Sequence, residues 1–141
     1  MKNLEYRGYD SAGLAYLKEN HLNTIKALGK LNKLKSKFEI LEEEINDVTI
    51  SIGHTRWATH GEPNDVNAHP QFSNSKKLCL VHNGIIENYS TIKQKLIKEG
   101  FSFYSETDTE VLVNLIEYVK EKNKFIAKFG ALNSEKAAFA K

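Results

Sequence analysis

The chain has 141 residues, with 18 lysines, two arginines and 18 acidic residues, and a formal net charge of +2. This balance argues against a basic surface that binds nucleic acid or an anionic membrane. No apolar run reaches the ~18 residues of a transmembrane helix, and the N-terminus lacks the apolar core of a signal peptide. The one cysteine permits no internal disulfide. We therefore expect a soluble, cytoplasmic protein of one domain or part of one.

The first half of the chain predicts a hairpin, a helix, a strand and a long loop. Residues 12–28 contain two apolar runs around a Lys-Glu-Asn turn and predict a β-hairpin. Residues 30–45 place apolar side chains at helical spacing. Residues 48–53 alternate as a strand does. Residues 54–76 show no sustained period and predict a functional loop.

The second half alternates short strands with helices. We predict a buried strand at 78–82, a helix at 90–99 that ends at Gly100, and a short strand at 101–104. Residues 107–110 carry the capping-box pattern that opens a further helix. Such an alternation predicts an α+β fold, or a layered α/β/β/α arrangement.

Polar residues concentrate between positions 53 and 88. Four of the five histidines, the one tryptophan, both prolines and one of the two arginines lie in this segment. A fold by itself does not need that density of donors and acceptors. The segment therefore favours a site for a small polar ligand.

Four residues have both a functional and a structural interpretation. Asn83 and Gly84 end an apolar run, and they suit either an oxyanion hole or an ordinary Asn-Gly turn. Arg56 suits either a carboxylate clamp or a weak surface salt bridge. Asp108 suits either a counter-charge for a ligand amine or the favourable end of a helix dipole.

The histidines and the cysteine do not predict a metal centre. Sequence separations of 6, 9 and 13 residues between four histidines do not match a zinc signature, and Arg56 between two of them would repel a cation. The four are His54, His60, His69 and His82. Cys79 lies within an apolar run and is expected to pack as a small hydrophobic residue. We expect no metal and no cofactor.

Four blocks together resemble a known family. They are residues 4–13 (Leu-Glu-Tyr-Arg-Gly-Tyr-Asp-Ser-Ala-Gly), 53–70, 81–88 and 105–110. In order and spacing they resemble the glutaminase domain of the glutamine–fructose-6-phosphate aminotransferases (isomerizing). These are class II glutamine amidotransferases of the N-terminal nucleophile type. The resemblance implies an α/β/β/α sandwich of the N-terminal nucleophile hydrolases.

The resemblance also implies a mechanism. In this family a cysteine at the mature N-terminus attacks the carboxamide of glutamine, and its own α-amine acts as the base. Asn83 and Gly84 would form the oxyanion hole. Arg7 and Gly8 would lie near the nucleophile.

Further residues are implied as glutamine-binding. Arg56 would bind the α-carboxylate and Asp108 the α-ammonium group. Thr59 and His60 would line the loop that closes on glutamine, and Trp57 would lie at the exit for ammonia.

Two departures from the family pattern limit these expectations. The Leu-Glu-Tyr-Arg block begins at Leu4, whereas in the family it follows a Met-Cys-Gly-Ile-Val-Gly start and a further segment. The first strand and the nucleophilic cysteine are therefore expected to be missing, and this chain alone is expected to be inactive. The resemblance also fades after about Asn123. We assign 1–122 to a partial type 2 glutamine amidotransferase domain and leave 123–141 as an unassigned tail.

The expected function follows from the resemblance. It is a fragment of the glutaminase domain that releases ammonia from glutamine to make glucosamine 6-phosphate from fructose 6-phosphate. The alternative is a non-catalytic module that binds glutamine or regulates a partner. Glutamine is the expected ligand, fructose 6-phosphate would bind only a separate isomerase region, and the family enzyme is expected to be a homo-oligomer that binds no nucleic acid or membrane.

Overall fold

The computed structural model describes residues 8–41 and 45–138, with residues 125–138 described by their backbone alone. It has an α+β fold with two antiparallel sheets and three helices in the described part. In chain order the elements are β1 (Ser11–Lys18), β2 (His21–Leu28), α1 (Leu31–Ile40), β3 (Ser51–Arg56), β4 (Gln71–Phe72), β5 (Cys79–Leu80), α2 (Tyr89–Lys98) and α3 (Asp108–Ala138). No helix in the described ranges combines the length and apolar character needed to cross a bilayer.

The predicted hairpin is confirmed as β1 and β2. The two strands pair along their whole length, from Ser11 opposite Leu28 to Lys18 opposite His21. Glu19 and Asn20 join them with positive φ angles of 51° and 62°. A two-residue turn of this kind matches the twist of the flanking strands. The hairpin forms two strands of a three-stranded sheet with the order β2-β1-β3.

Helix α1 packs on one face of this sheet and closes a small apolar core. Leu34 of α1 meets Ala12, Tyr16 and Ile25 from the hairpin. The helix is shorter than the predicted 30–45, because the Leu41 N–H bonds back to the Phe38 carbonyl at 2.9 Å and the chain leaves helical geometry there.

The third strand lies later in the chain than the predicted 48–53. It pairs antiparallel with β1 so that Tyr16 lies opposite Ser51 and Ser11 opposite Arg56. Val48 instead packs against the core beneath α1. Arg56 is consequently the last residue of the strand rather than part of a following loop.

The second sheet is small and lies inside and just after the predicted loop at 54–76. Strand β4 pairs with β5, Gln71 opposite Leu80 and Phe72 opposite Cys79. The predicted buried strand at 78–82 is therefore confirmed only at Cys79 and Leu80, and both residues are half-buried. Helix α3 packs against both strands, and its buried Glu117 accepts a hydrogen bond from Ser73 Oγ at 2.8 Å.

The predicted strand at 101–104 does not form. The segment is bound to the start of α3, since the Glu110 carboxylate accepts the backbone N–H groups of Tyr104 at 2.9 Å and Ser105 at 2.7 Å. Of the two hydrogen bonds that define the predicted capping box, only one forms among the described residues. Thr107 Oγ1 accepts the Glu110 N–H at 3.2 Å, while the Glu110 side chain bonds upstream of Thr107.

The two sheets face each other across the segment that precedes β4. A Cβ added at Gly13 would lie 2.1 Å from the carbonyl oxygen of His69, so only glycine fits the central strand at this point. Side chains alternate between the two faces of a strand, and Gly13 is on the face opposite that of Ala12, which packs against α1. The layers are therefore α1, the first sheet, the second sheet, and then α2 with α3.

Helices α2 and α3 pack against each other. Helix α2 buries Leu96, but Ile97, predicted on the same face, is 52% exposed. The α3 backbone stays helical through Ala138, past Asn123, where the sequence shows no continuing pattern.

Candidate active site

Strand β3 aims two polar side chains toward the second sheet. His54 lies opposite Gly13 and Arg56 opposite Ser11 in the register with β1. Paired residues share a face, and so do residues two apart on one strand. Both side chains therefore enter the space between the sheets, where they are 8% and 4% exposed.

A pocket of about 650 Å³ opens at this point. Its walls come from the end of β3, the 81–84 segment after β5, and the beginning of α3. Among the predicted site residues it is lined by Gly8, Arg56, Trp57, Thr59, Asn83, Gly84 and Asp108. Residues distant in sequence thus converge on one cavity, although their roles in binding stay predictions.

Arg56 is held by backbone carbonyls. Its Nη2 donates to the carbonyl of His60 and, at 3.2 Å, to that of Gly61. Its Nη1 is buried and has no hydrogen-bond partner in the described part of the chain. Burial lowers the pKa of Arg56, and the carboxylates of Asp10 and Asp108 act in the opposite direction. The guanidinium is fixed on one side and has an unpaired donor on the other.

Asp108 lies in the first turn of α3 and is 4% exposed. One of its oxygens, Oδ2, accepts the backbone N–H of Ile86 at 2.9 Å. This bond ties the chain that follows Asn83 and Gly84 to the start of α3. No hydrogen bond joins Asp108 to Arg56 among the described residues, so their opposite charges stand apart on the pocket wall.

Asn83 and Gly84 are exposed where the 81–84 segment turns toward α2. The Asn83 Oδ1 atom lies 2.8 Å from His54 Nε2. Gly84 has a φ of 152°, and a Cβ there would lie 2.9 Å from His82 Nε2. The turn is therefore packed on its inner side and open toward the cavity.

The loop after β3 carries three more of the predicted residues. Trp57 is 69% exposed and lies against Gly8, where an added Cβ would approach Trp57 Cζ3 to 2.8 Å. Thr59 lines the pocket. His60 does not line it, since its ring packs edge-on against Tyr89 at a centroid distance of 5.0 Å. Arg7 lies outside the described residues.

Cys79 is not part of the pocket. It is half-buried on β5, and burial raises the pKa of its thiol. A raised pKa disfavours the thiolate that a nucleophilic cysteine needs. This agrees with the prediction that Cys79 packs as a small hydrophobic residue, except that its side chain is only half-buried.

The sequence-based reasoning missed several residues that build the site. Asp10 accepts the Ala58 N–H and anchors the start of the loop after β3. His54, His69 and His82 line the pocket wall, with the His54 and His69 rings 4.6 Å apart. The alternation of side chains along β3 could have placed His54 on the same face as Arg56. That inference needed a predicted strand that extends to Arg56.

Two histidines of the wall, His54 and His69, have lowered pKa values, which favours their neutral form. Burial lowers the pKa of His54 below its ordinary value, and Arg56 and His82 add to this effect. Burial, together with His54 and Arg56, lowers the pKa of His69 to about 3. No group of three or more potential ligands in the described ranges is arranged to hold a metal ion.

A profile of the glutamine amidotransferase domain matches residues 12–129. The chain belongs to this family. The match includes all the pocket-lining residues except Gly8. It also extends a few residues past Asn123, where the predicted tail begins.

Several curated relatives of this amidotransferase domain share the name glutamine–fructose-6-phosphate aminotransferase (isomerizing). The protein from Caldanaerobacter subterraneus is 58% identical over 115 residues, which are 82% of this chain and 18% of that protein. The protein from Campylobacter jejuni is 50% identical over 141 residues, which are 99% of this chain and 23% of that protein. The chain thus spans about a fifth of the length of these relatives.

Solved amidotransferase structures share the fold. Glutamine phosphoribosylpyrophosphate amidotransferase from B. subtilis, complexed with ADP and GMP, superposes with a TM-score of 0.61 and 30% identity. The match covers 82% of this chain and 25% of that one. An allosteric regulatory enzyme of purine biosynthesis gives a TM-score of 0.62 and 31% identity, over 81% of this chain and 24% of that one. The predicted family and fold class are confirmed.

Proposed function

We propose that this chain forms the glutamine-recognition part of a glutaminase site. The observation that carries the proposal is that Arg56, Asp108 and the Asn83-Gly84 turn line one cavity. Free glutamine has an α-carboxylate, an α-ammonium group and a side-chain carboxamide. The pocket offers a group of matching chemistry for each of the three.

The charged ends of glutamine determine its orientation in this proposal. The unpaired Nη1 of Arg56 would donate to the α-carboxylate, since a guanidinium suits a planar carboxylate. Asp108 would accept from the α-ammonium group while its Oδ2 stays bonded to Ile86. Separation of the two side chains supports this, because a direct Arg56–Asp108 ion pair would compete with the ligand.

The carboxamide of glutamine would then face Asn83 and Gly84. Attack by a nucleophile turns the carboxamide oxygen into an oxyanion, which hydrogen-bond donors fixed in advance stabilise. The Asn83 amide nitrogen and the Gly84 N–H are the proposed donors. Thr59 would line the pocket, with Trp57 at its exposed rim and His60 in the closing loop.

We further propose that the ammonia released serves amination of fructose 6-phosphate to glucosamine 6-phosphate, as the names of the relatives suggest. That step would use a sugar-isomerase region beyond the domain described. A cytoplasmic location and a homo-oligomeric full-length enzyme are part of the same proposal.

Glutamine titration into the 141-residue chain, followed by calorimetry, tests the recognition step. We expect millimolar or tighter binding that falls at least tenfold in Asp108→Asn. Asp65→Asn is the matched control, since Asp65 is bound to Lys37 and the Leu28 N–H and does not line the pocket. Absence of any binding heat at millimolar glutamine would contradict the proposal.

The same titrated sample tests catalysis. The only cysteine of the chain is Cys79, which lies outside the pocket. We therefore propose that this chain alone binds glutamine without hydrolysing it, and a coupled assay should detect no ammonia. Ammonia release above background, lost in Asp108→Asn, would refute the inactivity and leave the recognition site intact.

A further inference from the structure

The side chain of Asn83 has a single hydrogen-bond partner in the described part of the chain. Asn83 is exposed and follows β5 in a segment without regular structure. Its Oδ1 lies 2.8 Å from His54 Nε2. The orientation of the carboxamide therefore depends on this one contact.

His54, in contrast, is held rigidly. Its backbone lies in β3 opposite Gly13, and its ring packs on His69 with centroids 4.6 Å apart and planes tilted by 52°. The side chain is 8% exposed. A fixed imidazole can impose an orientation on an exposed amide, whereas the reverse is not possible.

The contact also determines which nitrogen of His54 carries the proton. The carboxamide oxygen only accepts, so Nε2 must donate. Nδ1 is buried without a partner in the described ranges. A buried N–H without an acceptor is rarer than a buried acceptor without a donor, which favours the neutral Nε2–H form. Burial is the largest cause of the lowered pKa of His54 and outweighs the hydrogen bond to Asn83, which acts in the opposite direction. Arg56 and His82 lower the pKa further and so oppose a second proton.

We propose that His54 is a positioning residue for the oxyanion donor. By donating from Nε2 to Asn83 Oδ1, it turns the Nδ2–H bonds of Asn83 away from the protein and into the pocket. Without this donor, the carboxamide is free to rotate and to present its oxygen, which would repel an oxyanion. The inference rests on the proposed glutamine site.

L-Glutamate is a suitable probe, because its γ-carboxylate carries a negative oxygen where glutamine has a neutral carbonyl. Hydrogen bonds to a charged acceptor are stronger than those to a neutral one. His54→Phe keeps an aromatic ring against His69 and removes the donor. We expect about a tenfold loss of L-glutamate affinity and a smaller loss of L-glutamine affinity.

Two further variants separate positioning from packing. His54→Gln retains an N–H donor and should recover most of the L-glutamate affinity lost in His54→Phe. His21→Phe, at the exposed first residue of β2, is the matched control and should bind L-glutamate as the unaltered chain does. A purely structural role of His54 predicts equal losses for both ligands and no recovery in His54→Gln.

Nitrogen-15 NMR of the unaltered chain decides the case even where His54→Phe fails to fold. We expect the Nε2–H tautomer of His54, and Asn83 side-chain amide signals that move when L-glutamate is added. An Nδ1–H tautomer, or Asn83 amide signals that do not respond to bound L-glutamate, would overturn the inference. Failure to bind either amino acid would instead overturn the proposed function and the inference with it.

Discussion

Asn67 and Glu106 are joined by two hydrogen bonds, one donated by each residue. Asn67 Oδ1 accepts the Glu106 backbone N–H at 3.0 Å, and Asn67 Nδ2 donates to Glu106 Oε2 at 2.9 Å. The same amide nitrogen donates to the Glu62 carbonyl at 2.8 Å, and the Glu62 N–H lies 3.3 Å from Glu106 Oε2. The pair thus connects the loop after β3 to the residues that directly precede α3.

Removing this carboxylate should loosen the loop. Glu106→Ala leaves the buried Asn67 amide short of an acceptor, at an expected cost of about 1–2 kcal/mol of unfolding free energy. Urea denaturation measures that cost, and hydrogen exchange at Gly61 and Glu62 should accelerate. Glu39→Ala, which removes only an exposed ion pair on α1, should change stability by less than ~0.5 kcal/mol. Equal effects of the two substitutions would contradict this account.

Contact between the two sheets should tolerate no side chain at Gly13. In Gly13→Ala the new methyl group would overlap the His69 carbonyl, so the sheets must separate and the pocket wall must shift. We expect about 2–3 kcal/mol of destabilisation by denaturant unfolding. Gly100→Ala is the comparison, because its Cβ would meet nothing within 4 Å and only its φ of 93° resists substitution. A cost of about 1 kcal/mol is expected there.

The free energy of unfolding should decrease at acid pH because of His69. Burial lowers the pKa of His69 from 6.5 to about 3 in the folded state. Between these values the unfolded chain binds the proton and the folded chain does not, so stability falls as pH decreases below about 6.5. One such group contributes a slope of up to about 1.4 kcal/mol per pH unit.

Thermal melts between pH 7 and pH 5 measure this slope. His69→Gln should be less stable at pH 7, because it disturbs a buried contact, but should show a flatter decline toward pH 5. His21→Phe should retain the decline of the unaltered chain, since His21 is exposed. An unchanged slope in His69→Gln would show that the acid sensitivity arises elsewhere.

The turn between β4 and β5 should depend on Glu117. Its carboxylate accepts from Ser73 Oγ and Ser75 Oγ and from the Ser75 N–H at 3.2 Å. Burial opposes its ionisation, but the bonds from Ser75 and Ser73 leave the pKa of Glu117 below its ordinary value of 4.5. Its contribution is therefore complete above that pH and is lost as pH falls further.

Glu117→Gln should cost about 1–2 kcal/mol at neutral pH, because the three bonds that Glu117 accepts lose their charge-assisted character. The cost should shrink as the pH is lowered below 4.5 and the carboxylate of the unaltered chain binds a proton. Glu121→Gln, one helical turn along α3 and exposed, should cost little at either pH. A penalty independent of pH would indicate a packing effect instead.

Local patterns predicted the elements whose stabilising contacts are near in sequence. The β1–β2 hairpin followed from two apolar runs and a turn, and the end of α2 followed from Gly100. The strand expected at 101–104 did not form, because its amides bond to Glu110, a partner that strand periodicity does not reveal. Likewise the bounds of β3 depend on its register with β1, which a single sequence does not encode locally.

The candidate site likewise contains residues that local motifs predicted and residues that they did not. Motifs identified Arg56, Asp108 and the Asn83-Gly84 turn, which do line one cavity. The residues that support them were not recognised, because Asp10 and His54 act through contacts with Ala58 and Asn83 that lie far along the chain. The residue types that suit a ligand were recognisable in the sequence, whereas the orientation of their side chains depends on contacts that only the folded chain makes.

The anchoring of Arg56 on the carbonyls of residues 60 and 61 limits how this segment can vary. Every residue type supplies a carbonyl, so the side chain at position 60 can change while the guanidinium keeps its acceptors. Position 61 is restricted to glycine, because its φ is 80° and an added Cβ would lie 2.7 Å from Asn67 Nδ2. The number of residues after Arg56 cannot change in the same way, since one insertion or deletion would carry both oxygens out of reach. Selection on this loop should therefore act on its length and on Gly61 more strictly than on the side chain at position 60.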